Sequence, residues 1–278
     1  MCILGHQSAF FGHAALDSVE VATHLPFPLL SHLRVVVRQR HTLREAAGWD
    51  ELTATLRARP IGLLVVDPVG PGDVDVERVA ELRLRFPSIP IIAYTVLSPV
   101  AMQAMVQLVK AGVEQVVLHR VDDEPKRFLA LIDRQHGYLL GDQILASLSR
   151  PMARLANPLG GAVTRLFREP ERYRSATDLA IDAGCSTRHL SRQFEQAGFA
   201  TPKIVVDSAR LLRAFGYLMD PGCALENAAE KLGYSAPRIL ANQLEAAIGM
   251  RGRALRRQNM EPGEFVTLLA ERVQLNGG

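Results

Sequence analysis

The chain has 278 residues, 48% of them hydrophobic and 22% charged, with a formal net charge of +3. That length suits two domains of ordinary size, and the composition excludes wholesale disorder. The longest apolar runs, such as residues 61–66, are strand-sized and fall well short of the ~18–20 residues that a membrane helix needs, so no membrane partner is expected.

Cys2, Cys185 and Cys223 are too few and too scattered for a disulfide framework or a Cys-x-x-Cys metal site. The stretch MCILGHQSAFFGH lacks the basic start and long apolar run of a secretory signal. A soluble protein of the reducing cytoplasm is therefore expected. Charge is uneven along the chain: residues 1–140 hold 14 basic and 15 acidic residues, and residues 141–278 hold 18 and 14. Only four of the 32 basic residues are lysine. Arginine suits bidentate phosphate and guanine contacts, although a GC-rich genome yields the same bias.

Residues 1–18 show no sustained periodicity and read as a lead-in. From Val19 short β-branched runs begin: VEVAT (19–23), LRVVV (33–37), IGLLVV (61–66), IPIIAYT (89–95) and VEQVVL (113–118). Each of the last four precedes a helical pattern, namely TLREAAGWDELTATLRA, DVDVERVAELRLRF, SPVAMQAMVQLVKAG and EPKRFLALIDR. The first connection, with Pro26 and Pro28, reads as too short and proline-rich for a full helix. Apolar strands separated by helices imply a parallel sheet covered on both faces, so residues 19–140 are expected to form a doubly wound, five-stranded α/β domain.

Beyond Gly141 only helical patterns remain. Residues 141–174 read as a helical linker, with a segment from about Gln143 to Ala156, a break at NPLGG (157–161), a helix through Val163–Arg168 and a polar EPERYRS. Two similar blocks follow, SATDLAIDAGCSTRHLSRQFEQAG and CALENAAEKLGYSAPRILANQLEAAIG, separated by one long helical pattern from Pro202 to Met219. In the first, Ser175 or Thr177 caps a short helix with Leu179, Ala180 and Ala183 inward, and Gly184 makes the turn. Ser186 then caps a second helix. Leu190 and Phe194 stand four apart and pack inward, which leaves Thr187, Arg188, His189, Ser191, Arg192 and Gln193 outside. The second block repeats this arrangement, with Ala228, Ala229 and Leu232 inward, Gly233 at the turn, Ser235 as cap, and Leu240, Leu244 and Ile248 inward. A glycine turn between two such helices is helix-turn-helix geometry.

These residues resemble the AraC/XylS family of transcriptional regulators, whose DNA-binding domain is two such units joined by a long helix. Leu179-Ala180, Ser186, His189-Leu190, Arg192 and Phe194 carry the resemblance in the first unit. Arg210-Leu211 and Ala214 carry it in the connecting helix, and Ala229, Leu232-Gly233-Tyr234-Ser235, Pro237, Gly249 and Arg256 in the second unit. It spans about 175–258, with 259–278 as a C-terminal extension. The second unit departs from the family: Leu240-Ala241-Asn242 replaces an aromatic-Ser-Arg run, Glu245 is acidic, and Arg251-Gly252 replaces Thr-Pro. The resemblance implies that the helices enter successive major-groove segments about one turn, roughly 34 Å, apart. On general recognition chemistry, Arg188 or Arg192 suits guanine, Gln193 adenine, and Thr187 or His189 a base edge or phosphate. Ser186, Ser191, Ser235, Arg238 and Asn242 complete the candidate DNA surface. Arg251, Arg253, Arg256 and Arg257 suit phosphate, which gives affinity without sequence information.

An α/β domain of five strands with an aspartate closing the third is similar to the receiver domain of bacterial response regulators. Asp67 matches the phosphoacceptor, Thr95 the hydroxyl residue on strand four, and Lys110-Ala111-Gly112 the turn into strand five, whereas the similarity is weaker at the start, where no first helix is evident. His119 occupies the place of the family's lysine, and Arg120 that of the following proline. After strand one the chain reads Ala22-Thr23-His24-Leu25-Pro26, with no carboxylate to hold the Mg²⁺ that aspartyl phosphorylation needs. Asp67, Thr95 and His119 therefore read as a vestigial phosphoacceptor site in a phosphorylation-independent domain. Val100, Met102, Met105, Val106 and Leu108 give the helix before strand five a broad apolar surface, and the resemblance implies homodimerisation there.

The eight histidines lack metal-binding spacing, and no P-loop, Gly-x-Ser-x-Gly or Gly-x-Gly-x-x-Gly is present, so no cofactor, metal or enzymatic role is expected. Cys185, Trp49 and Phe128 read as packing residues. The expected protein is a DNA-binding transcriptional regulator with double-stranded DNA as partner and RNA polymerase as a further candidate. Its rivals are a true phosphorelay regulator phosphorylated on Asp67 and an interaction protein that no longer binds DNA.

Overall fold

The computed structural model describes residues 18–70, 74–113, 115–134, 139–250, 252–257 and 260–274. Five parallel strands, β1 (Glu20–His24), β2 (Thr42–Glu45), β3 (Leu63–Val66), β4 (Ile91–Thr95) and β5 (Gln115–Leu118), lie in the order β2-β1-β3-β4-β5. β3 and β4 are buried along their whole length, as strands covered on both faces must be. Helices α1 (Phe27–Val37) and α5 (Pro125–Arg134) cover one face; α2 (Trp49–Ala58), α3 (Val76–Arg85) and α4 (Pro99–Lys110) cover the other. This is the doubly wound α/β fold, and its order places the topological switch between β1 and β3, where the loops carrying His24 and Asp67 meet.

Two expectations fail at the start of this domain. LRVVV (33–37) is the second half of α1, and the second strand is Thr42–Glu45. Pro26 and Pro28 do not prevent the helix: Pro26 is its N-cap and Pro28 lies in the first turn, where a missing N–H costs nothing and a fixed φ helps. Leu29, Leu33, Val36 and Val37 then form a buried stripe at spacings of three and four. β2 is an edge strand with no fully buried residue, which explains its polar sequence.

The second domain is helical. α6 (Leu139–Ser147), α7 (Ser149–Met152), α8 (Asn157–Arg168) and a 3-10 turn (Pro170–Arg172) precede the paired units. The first unit comprises α9 (Ala176–Asp182) and α10 (Thr187–Ala197), α11 (Pro202–Met219) follows, and the second unit comprises α12 (Leu225–Lys231) and α13 (Pro237–Ile248). The chain ends with α14 (Gly252–Arg257) and α15 (Pro262–Val273). NPLGG (157–161) is no break, because α8 starts at Asn157 with Pro158 in its first turn. The expected segment from Gln143 to Ala156 is divided between α6 and α7. One continuous core runs from Ile144 to Val273 through Phe167, Phe194, Leu211 and Leu240, and α15 closes it against α6 and α11.

Arg210, in the middle of α11, is only 6% exposed. Its guanidinium donates to the carbonyls of Tyr173, Arg174 (3.2 Å) and Leu232 (2.8 Å) and lies 4.1 Å from the ring centroid of Tyr234. It thus ties the chain entering the first unit to the turn of the second. The domains meet where Asp220, beyond α11, accepts hydrogen bonds from the backbone N–H (2.9 Å) and hydroxyl (2.6 Å) of Ser88, and where Gly222 N–H donates to Arg85 O (2.8 Å). A Cβ on Gly222 would stand 2.7 Å from Phe86 Cζ, so this position accepts no side chain without movement.

Arg210→Ala leaves buried carbonyls without their donor and is expected to destabilise the helical domain by about 2–4 kcal/mol. Thermal unfolding of the variant measures it.

Candidate nucleic-acid interface

Each helix-turn-helix unit is set by local backbone chemistry. Ser175 caps α9: its hydroxyl accepts from Asp178 N–H, and the Asp178 carboxylate accepts from Ser175 N–H in return, a capping box. Gly184 (φ 64°) makes the left-handed turn that glycine allows, and Ser186 caps α10 by accepting from His189 N–H at 3.2 Å. Leu190, Phe194 and Ala197 anchor α10 in the core, with Phe194 against Phe199.

The opposite face of α10 is open to solvent. Thr187, Arg188, His189, Ser191 and Arg192 are exposed together with Ser186, so six of the seven first-unit candidates share one accessible surface. Arg192 reaches back to His189, with Nη2 3.1 Å from Nδ1. Ser191 donates its hydroxyl to Thr187 O within the helix. Gln193 departs from the set: it is half-buried and donates its amide to Gln196. Cys185, in the turn, is partly buried against the core.

In the second unit Ser235 is not the cap. α13 begins after Ala236, with Pro237 in its first turn and no side-chain cap; proline supplies the helical φ that a serine would otherwise help to fix. At the start of α12 the Asn227 side chain accepts from Ala224 N–H, one half of a capping box, since alanine offers no acceptor in return. Ser235, Arg238 and Asn242 are all exposed, but the outer face of α13 also carries Ile239 and Glu245. Its outer surface therefore has one cation and one anion, whereas that of α10 has two arginines against Glu195. Of the basic tail, Arg251 lies outside the described residues; Arg253 and Arg256 belong to α14, but their side chains lie outside the described residues; Arg257 is exposed.

The candidate residues in the α/β domain do not form one site. Asp67 is buried, accepts from Val69 N–H (2.9 Å) and from the Thr95 hydroxyl, and has His24 nearby. Burial raises its pKa, against the opposing pull of these hydrogen bonds and of His24. His119 faces a different group: Nδ1 lies 2.7 Å from Asp123 Oδ2 and 2.8 Å from Tyr94 Oη, and Tyr94 donates to Asp123 at 2.6 Å. Burial alone would raise the Asp123 pKa, but bonds from Tyr94, His119 and the Arg120 N–H bring it below the usual carboxylate value. Arg120 itself adopts φ 63°, a left-handed conformation in the turn that aims this N–H. A divalent cation at Asp67 would meet one buried carboxylate, a hydroxyl and an imidazole; that donor set does not fit Mg²⁺, which favours several oxygen ligands including carboxylates. Among the described residues no cluster of His, Cys, Asp or Glu could hold a metal ion.

Residues 179–258 match a family described as a helix-turn-helix domain. The C-terminal unit is an AraC-type helix-turn-helix domain. The chain thus joins a doubly wound α/β domain to a helix-turn-helix domain. Among solved structures, full-length FixJ from B. japonicum aligns over 84% of this chain and 100% of its own, at 15% identity and a TM-score of 0.38. The Salmonella typhimurium response regulator RcsB aligns over 65% of this chain and 91% of its own (21%, 0.35), and the xylose-binding transcription activator xylR over 89% and 72% (12%, 0.34). No curated protein matches the chain. Among the described residues no helix is long and apolar enough to cross a membrane.

The capping geometry separates two serines that the sequence treats alike. Ser186→Ala should cost about 1 kcal/mol, whereas Ser235→Ala should leave thermal stability unchanged; denaturant unfolding of both variants measures the difference.

Proposed function

We propose that the protein regulates transcription by sequence-specific binding of double-stranded DNA, with α10 as the main reader, α13 as a weaker second one, and the receiver-like domain acting by pairing rather than by phosphorylation. One observation carries this reading: α10 presents Arg188, His189 and Arg192 on one exposed face while its other face is locked into the core. Guanidiniums placed so can bond guanine O6 and N7 in the major groove. The cytoplasm is the compartment in which such a protein would meet chromosomal DNA and RNA polymerase. The charge balance on α13, with Glu245 beside Asn242, supports weaker DNA contact there than at α10.

Pairing is supported by α4 and the loop before it. Val96, Leu97, Val100, Met102, Val106 and Val109 are each 45–60% exposed, a concentration of apolar surface that favours a second copy of the chain as its cover. Leu108 and Ala104 turn the other side of the helix into the core, and Met105 is half-buried.

Three measurements test the proposal. Arg192→Ala should lose roughly tenfold or more in preference for the selected site over random duplex, since one bidentate base contact contributes about 1–3 kcal/mol; Arg257→Ala should weaken both alike and lower the salt dependence. Equal losses on every sequence in both variants would contradict base reading by α10. Incubation with acetyl phosphate and Mg²⁺ should leave the intact mass unchanged, whereas an adduct abolished by Asp67→Ala would establish phosphorelay chemistry instead. Sedimentation should show a dimer that Val106→Glu converts to monomer; a monomeric parent protein would refute pairing through α4.

A further inference from the structure

The charged groups around one cavity at the domain junction are already spent on each other. Arg168, Arg213 and Asp220 line it. Arg168 Nε donates to Asp142 and Arg213 Nε to the Tyr217 hydroxyl, each at 3.0 Å. Both Asp220 oxygens accept from Ser88, and Arg213 acts electrostatically on Asp220 and on Glu171. Two guanidiniums thus stand among three carboxylates, and among the described lining residues no charge is left for an ionic guest. An ion entering would lose its hydration and gain no unengaged counter-charge.

The remaining surface is apolar. The cavity, of about 370 Å³, opens where α6, α8, α11 and the start of α15 meet the turn between α3 and β4. Leu140, Phe167, Leu212, Phe215, Met219 and Pro262 make its walls, and Phe215 is fixed by stacking on Phe265 with centroids 4.2 Å apart. Gly216 lines it from the interior of α11, where glycine is a poorer helix former than alanine. Neither close packing nor backbone conformation demands glycine there: an added Cβ would meet only Leu140 Cδ1, at an ordinary 3.6 Å, and Gly216 is not among the positive-φ residues. Its effect is to leave space. Gln143 contributes an uncharged amide that can give or accept a hydrogen bond.

Small-molecule sites commonly measure about 300–1,000 Å³ and favour domain junctions, and an apolar cavity of roughly 150 Å³ already admits benzene. We propose that this cavity binds a neutral, largely apolar molecule of about two fused rings. Pro87 and Ser88 come from the α/β domain and the other lining residues from the helical one, so the guest touches both.

Titration calorimetry on the full chain at pH 7 with three molecules of like shape, 2-naphthol, 2-naphthoate and 2-naphthylmethylamine, tests the proposal. Saturable one-to-one binding of the neutral naphthol is expected, with the anion and the cation about tenfold weaker or undetectable. Gly216→Leu should weaken naphthol binding at least about tenfold while thermal unfolding stays cooperative. Should Gly216→Leu fail to fold, Met219→Trp fills the cavity from the same helix and must give the same loss. Absence of naphthol binding, binding of either ion as tight as that of naphthol, or a folded cavity-filled variant that binds as tightly as the parent would each overturn it.

Discussion

Arg210 is the interaction on which the DNA-binding half depends. A guanidinium taken out of water needs partners for its donors and its face; here three carbonyls engage the two terminal nitrogens and the Tyr234 ring covers the face, while the buried Nε makes no hydrogen bond. Because those carbonyls belong to the chain before α9 and to the turn after α12, one side chain on α11 fixes the separation of the two units. α10 and α13 then pack on the same long helix. A regulator that addresses two neighbouring groove segments needs this rigidity, since each degree of freedom between its readers would cost affinity on binding.

The α/β domain is doubly wound, and it keeps His119 apart from the Asp67–Thr95 pair. At the crossing of β1 and β3, where such folds bind ligands, Asp67 is turned inward to cap its own loop and to accept from Thr95. The side chain at the end of β5, His119, is engaged by Tyr94 and Asp123 rather than by Asp67. What the domain offers outward instead is the apolar surface of α4.

The helix-turn-helix units were legible because their signals are local: a positive-φ glycine and two apolar residues four apart mark each turn, with capping serines added in the first unit. β3 and β4 were legible because strands buried on both faces are continuously apolar; β5, a half-buried edge strand, was legible from its Val116-Val117-Leu118 run. The errors arose where local and global signals diverge. LRVVV has β-branched composition yet completes the buried stripe of α1, and the edge strand β2 lacks the apolar run that marks its neighbours. Pro28 and Pro158 sit in first turns, so reading proline as a breaker hid the whole of α1 and removed the start of α8, while the likeness of the second block to the first assigned the cap of α13 to Ser235. The cavity could not be read at all, because its walls come from four helices and a turn distant in sequence.

The joint between the halves, built on Ser88–Asp220 and on the close approach of Phe86 to Gly222, puts any event in the α/β domain in mechanical reach of α12, which packs on α2. Under the proposed function, two readers of unequal strength are held at one fixed separation. Sequencing the duplexes that the full-length protein enriches from a random pool tests it most directly. The account predicts a strong block of defined bases with a weaker block about one helical turn, roughly 10 base pairs, away at constant spacing; blocks at variable spacing, or no enriched sequence, would contradict it.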